Sequence, residues 1–189
     1  MRLFVALNLP AVVREAVWAA AAPLRALDLP VKWVRAEGLH LTIKFLGEVP
    51  DEREPDFAAA LAQAGAGGST GHSSRGIPLA LGDWGSFPNP TRPRVVWLGV
   101  APDPSLELLQ HRVELAFAEL GVPAEGRPFR PHVTLGRARQ GGGRFAGLEP
   151  ALASLTYAET VVVETVDLMR STLERGGAVY HVRRSVPLV

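Results

Sequence analysis

Two four-residue segments, His40-Leu41-Thr42-Ile43 and His132-Val133-Thr134-Leu135, follow one pattern, and each lies in a run of alternating apolar residues. In an extended strand, residues i and i+2 point to the same side. His40 therefore shares a face with Thr42, and His132 with Thr134. Leu41, Ile43, Val133 and Leu135 point the other way, into a core. A strand, helix, strand order leads into the first segment, and a similar order leads into the second. That repetition predicts two related lobes facing each other, each presenting an imidazole beside a hydroxyl.

The rest of the chain supports this architecture. Residues 2 to 8 read as a strand closed by Pro10, and 11 to 27 as a helix on the spacing of Val13, Val17, Ala20, Leu24 and Leu27. Short strands follow at 31 to 35 and 39 to 46, the second ended by Gly47 and Pro50, and then a helix from about Pro55 to Ala64. The Gly- and Ser-rich GAGGSTGHSSRG reads as a flexible loop. Residues 77 to 83 and 94 to 100 form a strand pair around the turn-rich SFPNPTRP. Asp103 as N-cap, with Pro104 in the first helical position, opens a helix striped by Leu106, Leu109, Val113, Phe117 and Leu120 and closed by Gly121. A strand at 129 to 135, a glycine-rich turn at 141 to 143, a helical piece near 149 to 155 and a hairpin of 159 to 171 with 178 to 184 complete the chain. Several strands follow one another directly. The fold class is therefore α+β with largely antiparallel sheet, as one bilobal domain over residues 1 to 189.

Composition narrows the function. The 189 residues carry a formal charge of +1, too balanced for a coat or duplex-binding protein but compatible with an enzyme that grips one phosphate. Of the 20 basic residues only Lys32 and Lys44 are lysines, a bias that fits genomic base composition. The absence of cysteine excludes thiol nucleophiles, disulfides and thiolate metal sites. Asn8, Pro10, Arg14 and Glu15 interrupt the opening MRLFVALNLP too early for a signal peptide, and no run of 18 apolar residues exists. The expectation is a cytoplasmic protein without membrane attachment. Phosphate-binding loops of the GxxxxGK[ST] type, GxGxxG turns, HExxH and clustered acidic ligands are all missing. GHSSRG at 71 to 76 also fails the GxSxG pattern. Neither metal nor cofactor is indicated.

Opening a cyclic phosphodiester requires a base to take a proton from water and an acid to protonate the departing oxygen. Imidazole titrates near neutral pH and serves in either role. Two imidazoles flanking one phosphate suffice, and the Thr42 and Thr134 hydroxyls are placed to donate to non-bridging oxygens. One His-x-Thr alone is more often a partly buried histidine; the matched pair carries the reading.

LHLTIKFLGEV and FRPHVTLGR resemble the two signature motifs of the 2H phosphoesterase superfamily. The likeness is greatest to its RNA 2′,3′-cyclic phosphodiesterases, the LigT-type proteins formerly called 2′-5′ RNA ligases. RLFVALNLP, WGSFPNPTRPRVVWLGV and LMRSTLERGGAVY extend it over nearly the whole chain. The resemblance implies a bilobal structure with a pseudo-twofold axis, one motif from each lobe lining a central groove. It implies His40 as the proton donor to the leaving 3′ oxygen and His132 as the proton acceptor from water; the motifs themselves are too symmetric to assign the roles. The expected substrates are RNA ends or small nucleotide cyclic phosphates, handled by a monomer. The same site would serve 2′-5′ ligation in the reverse direction or another small cyclic phosphate. A different class of reading is non-catalytic binding of RNA ends, which would not need a matched acid and base.

Two arginines are candidate phosphate ligands. Arg130 shares strand parity with His132 and Thr134. Arg137 matches the arginine that follows the family's second motif, although parity puts it on the opposite face unless Gly136 allows a bulge. Lys44 shares the parity of His40 and is a weaker candidate. His72, His111 and His181 read as structural or exposed, and the four tryptophans as packing residues. Phe45 and Phe129 stand beside the motifs, either in a nucleobase pocket or in the core.

Overall fold

The computed structural model describes residues 1–66, 76–139, 144–174 and 177–188. In chain order these form β1 (Arg2–Asn8), α1 (Ala11–Ala20), α2 (Ala22–Arg25), β2 (Val31–Trp33), β3 (His40–Glu48), α3 (Glu54–Ala66), β4 (Ile77–Phe87), β5 (Val95–Val100), α4 (Pro104–Ala118), β6 (His132–Ala138), α5 (Leu148–Ser154), β7 (Glu159–Val163), β8 (Thr165–Glu174) and β9 (Gly177–Pro187). Every strand pairing is antiparallel, so the fold is α+β, as the sequence predicts.

The nine strands run in the order β7-β4-β5-β6-β3-β1-β8-β9, with β2 also paired to β6. At the middle of this order, β3 and β6 share one pair, Leu41 opposite Val133. The other neighbours share ladders of three to ten pairs. The sheet is thus two half-sheets, β9-β8-β1-β3 and β7-β4-β5-β6, joined at a single rung beside both histidines, an arrangement consistent with the expected two lobes. In each half, strand, helix and strand lead to the motif: β1 and α1 before β3, β5 and α4 before β6.

Local chemistry explains the elements. Asp103 caps α4, its carboxylate accepting the backbone N–H of Ser105 at 2.9 Å and of Leu106 at 3.3 Å, with Pro104 in the first turn where no N–H is needed. The helix buries Leu106, Leu109, Val113 and Phe117 completely, a stripe at helical spacing. Each such side chain contributes about 2 kcal/mol relative to exposure. Phe117 meets Phe57 of α3 with ring centroids 5.6 Å apart. The helix predicted over 11 to 27 breaks at Ala21 and restarts as α2, because Pro23 has no N–H to continue the ladder.

Three further boundaries differ from expectation. The strand predicted over 129 to 135 is β6, which starts at His132 and runs to Ala138. Pro131, lacking an N–H, stays outside, and only its carbonyl takes part, accepting from Val100 at 3.1 Å. β4 continues to Phe87, into the segment predicted as turn. The strand predicted over 159 to 171 is two strands in different halves. β7 pairs with β4, the chain crosses at Glu164, and β8 pairs with β1. Alternation shows which residues face inward but not which neighbour a strand will find. The predicted loop at 65 to 76 with His72, the turn at 141 to 143 and the hairpin tip at 175 to 177 lie wholly or largely outside the described residues. Among the described residues no helix is long and apolar enough to cross a membrane.

Candidate active site

Leu41 and Val133, the joining rung, are both fully buried, which turns the histidine and threonine of each motif to the opposite face. Continuing that antiparallel register sets His40 beside Thr134 and Thr42 beside His132. The two imidazoles are then diagonal neighbours, whose Cα atoms lie about 7–8 Å apart in such sheets. Both are half-buried, as are both threonines. The structure therefore brings His40, Thr42, His132 and Thr134 to one place.

The two motifs are held in the same way. His40 Nδ1 donates to the Gly38 carbonyl at 2.8 Å, and His132 Nδ1 to the Arg130 carbonyl at 2.7 Å. A carbonyl only accepts, so each Nδ1 carries a proton, and among the described residues neither Nε2 has a hydrogen-bond partner. Burial pushes the His40 imidazole down to about 4, overcoming the Gly38 hydrogen bond, and the charges of Arg137 and His132 add to the effect. His132 is also lowered, first by burial and then by Arg137, against its bond to Arg130. Both shifts favour the neutral imidazole.

Each motif strand also carries a bulge directly after its threonine. β1 pairs Ala6 with Thr42 and Val5 with Lys44, leaving Ile43 extra. β5 pairs Trp97 with Thr134 and Val96 with Gly136, leaving Leu135 extra. The extra residue reverses the inward–outward parity beyond it. Arg137 is thereby turned to the histidine face, and its charge acts on both imidazoles. Gly136 turns inward, where a Cβ would lie 2.5 Å from Val31 Cγ1 and 2.9 Å from the Trp33 ring, so the bulge requires a glycine.

Lys44 does not share the face of His40, because the bulge at Ile43 sends it inward. It is 5% exposed and donates to Glu114 of α4 at 2.6 Å and to the Pro123 carbonyl at 2.8 Å. Arg130 lies before β6 begins, so strand parity does not apply to it. Its side chain is exposed, and its carbonyl accepts from His132 Nδ1.

Aromatic side chains that the sequence reading left in the background flank both histidines. His40 lies 5.0 Å from the ring of Phe4 and 4.9 Å, edge-on, from that of Tyr180. His132 lies 5.2 Å, edge-on, from Phe87, whose ring is tilted against that of Trp97 with centroids 5.0 Å apart. Phe45, beyond the first bulge, is 59% exposed, while Phe129 packs against the core. Beside β3, Asn8 donates to the buried Asp167 at 2.7 Å, and Asp167 also accepts from Ser185 at 2.5 Å. Alternation along β1 places Phe4, Ala6 and Asn8 on one side, a legible signal; that β9 would add Tyr180 required the strand order. His111 and His181 are exposed, away from this face.

The model of the 2′-5′ RNA ligase superfamily matches residues 13–175. The chain belongs to that superfamily. A relative from Archaeoglobus fulgidus, named RNA 2′,3′-cyclic phosphodiesterase, is 31% identical over 95% of this chain and 96% of its own length. A relative of the same name from Geobacillus stearothermophilus is 36% identical over 78% of this chain, which spans 45% of that longer protein. Among solved structures, Escherichia coli LigT complexed with 3′-AMP superposes with a TM-score of 0.72 at 30% identity, covering 99% of this chain and 97% of the other. The 2′-5′ RNA ligase superfamily is thus the family that the two His-x-Thr segments implied.

Proposed function

We propose that this chain hydrolyses RNA ends bearing a 2′,3′-cyclic phosphodiester and leaves a 2′-phosphomonoester, with His40 and His132 exchanging the protons and no metal taking part. The names of its relatives support the substrate class, and the 3′-AMP held by Escherichia coli LigT supports a nucleotide in the cleft. The single observation that carries the mechanism is the matched pair of hooks: two imidazoles across one rung, each with Nδ1 engaged by the carbonyl two residues back and with Nε2 unbonded among the described residues.

The steps balance with these groups alone. His132 Nε2 takes a proton from water, the water oxygen bonds to phosphorus, and the P–O3′ bond breaks. His40 Nε2–H delivers its proton to the departing O3′, giving a 3′-hydroxyl and a 2′-phosphate. Thr42, Thr134 and Arg137 supply donors to the non-bridging oxygens as charge grows there. Arg130, expected as a further ligand, serves through its carbonyl. The lowered imidazoles fit this scheme once substrate arrives. A phosphodiester brings a negative charge that offsets the desolvation of one imidazolium, so anion entry and proton uptake occur together. Dimethyl phosphate, a monoanion at both values, should accordingly bind more tightly at pH 5.5 than at pH 8, with net proton uptake read by calorimetry in two buffers.

A 5′-hydroxyl in place of water would yield a 2′–5′ linkage through the same residues, and the superfamily's description keeps that reaction in view. The deciding experiment offers an oligonucleotide with a cyclic-phosphate end, with and without a 5′-hydroxyl partner strand and EDTA. Expected are a 2′-phosphate product, no dependence on chelator, and loss of activity in both His40→Ala and His132→Ala. Activity abolished by EDTA, or kept by either variant, overturns the scheme.

A further inference from the structure

We propose that the Tyr180 hydroxyl is a substrate contact, donating a hydrogen bond to a phosphoryl oxygen alongside Arg137; this rests on the reading above that the cleft takes a phosphodiester. Tyr180 lies on β9, the outermost strand of its half-sheet, and pairs with Ser171 of β8. Arg137 lies on β6, four strands away. In a flat sheet four spacings amount to about 19 Å. Yet the Arg137 charge acts on the Tyr180 phenol as it does on both imidazoles. Gly177, where β9 begins, lies against β2, an added Cβ there standing 3.1 Å from Lys32 Cε, and Lys32 pairs with Arg137; the first half-sheet therefore bends back toward β6.

The phenol ring is held in place on three sides. It meets Phe4 edge-on at 5.4 Å and His40 edge-on at 4.9 Å. It also lies over Gly38, where an added Cβ would stand 3.3 Å from the ring and 3.1 Å from Val34. Gly38 is the residue whose carbonyl fixes the His40 tautomer, so the ring backs the same hook that aims His40. Burial raises the phenol above its ordinary range, against the pull of Arg137, and it stays a donor at every pH where an imidazole pair works. A rigid neutral donor next to an arginine and an imidazole is suited to an oxygen that gains charge in the transition state and needs no reorganisation to be met.

Tyr180→Phe removes the hydroxyl and keeps the ring against Phe4, His40 and Gly38. The expected result is an unchanged Tm, a kcat on a cyclic-phosphate dinucleotide lowered about 30-fold with KM moved less than threefold, and affinity for adenosine 2′-monophosphate lowered about fivefold. Tyr180→Leu, which also removes the ring, should lower Tm and disturb His40 as well. A Tyr180→Phe protein within twofold of the parent in both kcat and nucleotide affinity overturns the inference and leaves the hydrolytic reading standing. A parent protein inactive on the cyclic phosphate overturns the hydrolytic reading, and the nucleotide titration still decides whether the hydroxyl meets a phosphate.

Discussion

The two motif strands share a backbone and differ in what the backbone carries. β3 and β6 each begin with a histidine hooked to a carbonyl two residues back, continue with a threonine on the same face, and bulge one residue later. Beyond the bulge the resemblance ends. On β3 the inward residue is Lys44, anchored to Glu114, and the outward residue is Phe45. On β6 the inward residue is Gly136 and the outward one Arg137. A symmetric scaffold thus holds an asymmetric cleft, with a cation on one side and an exposed aromatic ring on the other. The backbone repeats; the chemistry is set by two positions after each bulge.

The sharpest way to separate the halves is by leaving group. His40→Ala and His132→Ala should each lose a thousandfold or more on a natural cyclic phosphate, at the upper end of what general acid–base groups contribute. A diester whose leaving group is p-nitrophenolate needs no proton on departure. Activity on it should return to within about tenfold of the parent in His40→Ala and stay lost in His132→Ala. The opposite rescue would exchange the two roles.

Next in size is the buried pair behind β3. Lys44→Met leaves Glu114 without its cation and with only Gln110 as a donor, a loss on the order of 3 kcal/mol for a pair this enclosed, read as a lower denaturant midpoint. Lys44→Met with Glu114→Met should recover most of it. If the single variant is as stable as the parent, the pair does not anchor α4 to the motif strand.

The arginines give a smaller and more selective effect. Arg137→Ala should reduce kcat/KM about 30-fold, the scale of a lost hydrogen bond to a charged oxygen, while Arg130→Ala stays within threefold. Equal losses would show that the bulge does not choose between them.

The smallest expected effect concerns pH. His40 titrates near 6.5 unfolded and near 4 folded, so between those values the unfolded chain binds more protons. Stability from this group is complete above pH 6.5 and falls as pH drops toward 4, by at most about 2 kcal/mol from pH 7 to pH 5. His40→Asn should flatten that part of the stability curve. An unchanged slope would place the ring in water.

The sequence made the two histidines, the two threonines and the α+β class readable because each depends on local alternation or local capping. His40 with Thr42, and Asp103 with Pro104, need no distant partner to be recognised. The fate of Lys44 and Arg137 was hidden by bulges at Ile43 and Leu135, ordinary apolar residues whose extra count shows only against a neighbouring strand. Gly136 was the one visible hint, through its lack of a side chain. Tyr180 and the split at Glu164 were hidden for a related reason: which half a strand joins is decided by packing, and 159 to 171 alternates as well for one long strand as for two.

The crossing at Glu164 also orders assembly in time. β4 to β7 lie between residues 77 and 163, so that half-sheet, with β6 and its histidine, can be completed while the polypeptide is still emerging from the ribosome. β1, made before β3, sits between β3 and β8 and must wait with one flank bare until residues beyond 164 are translated. A truncated nascent product therefore holds His132 on a finished ladder and His40 on an unfinished one, and acquires its full chemistry only with β8 and β9.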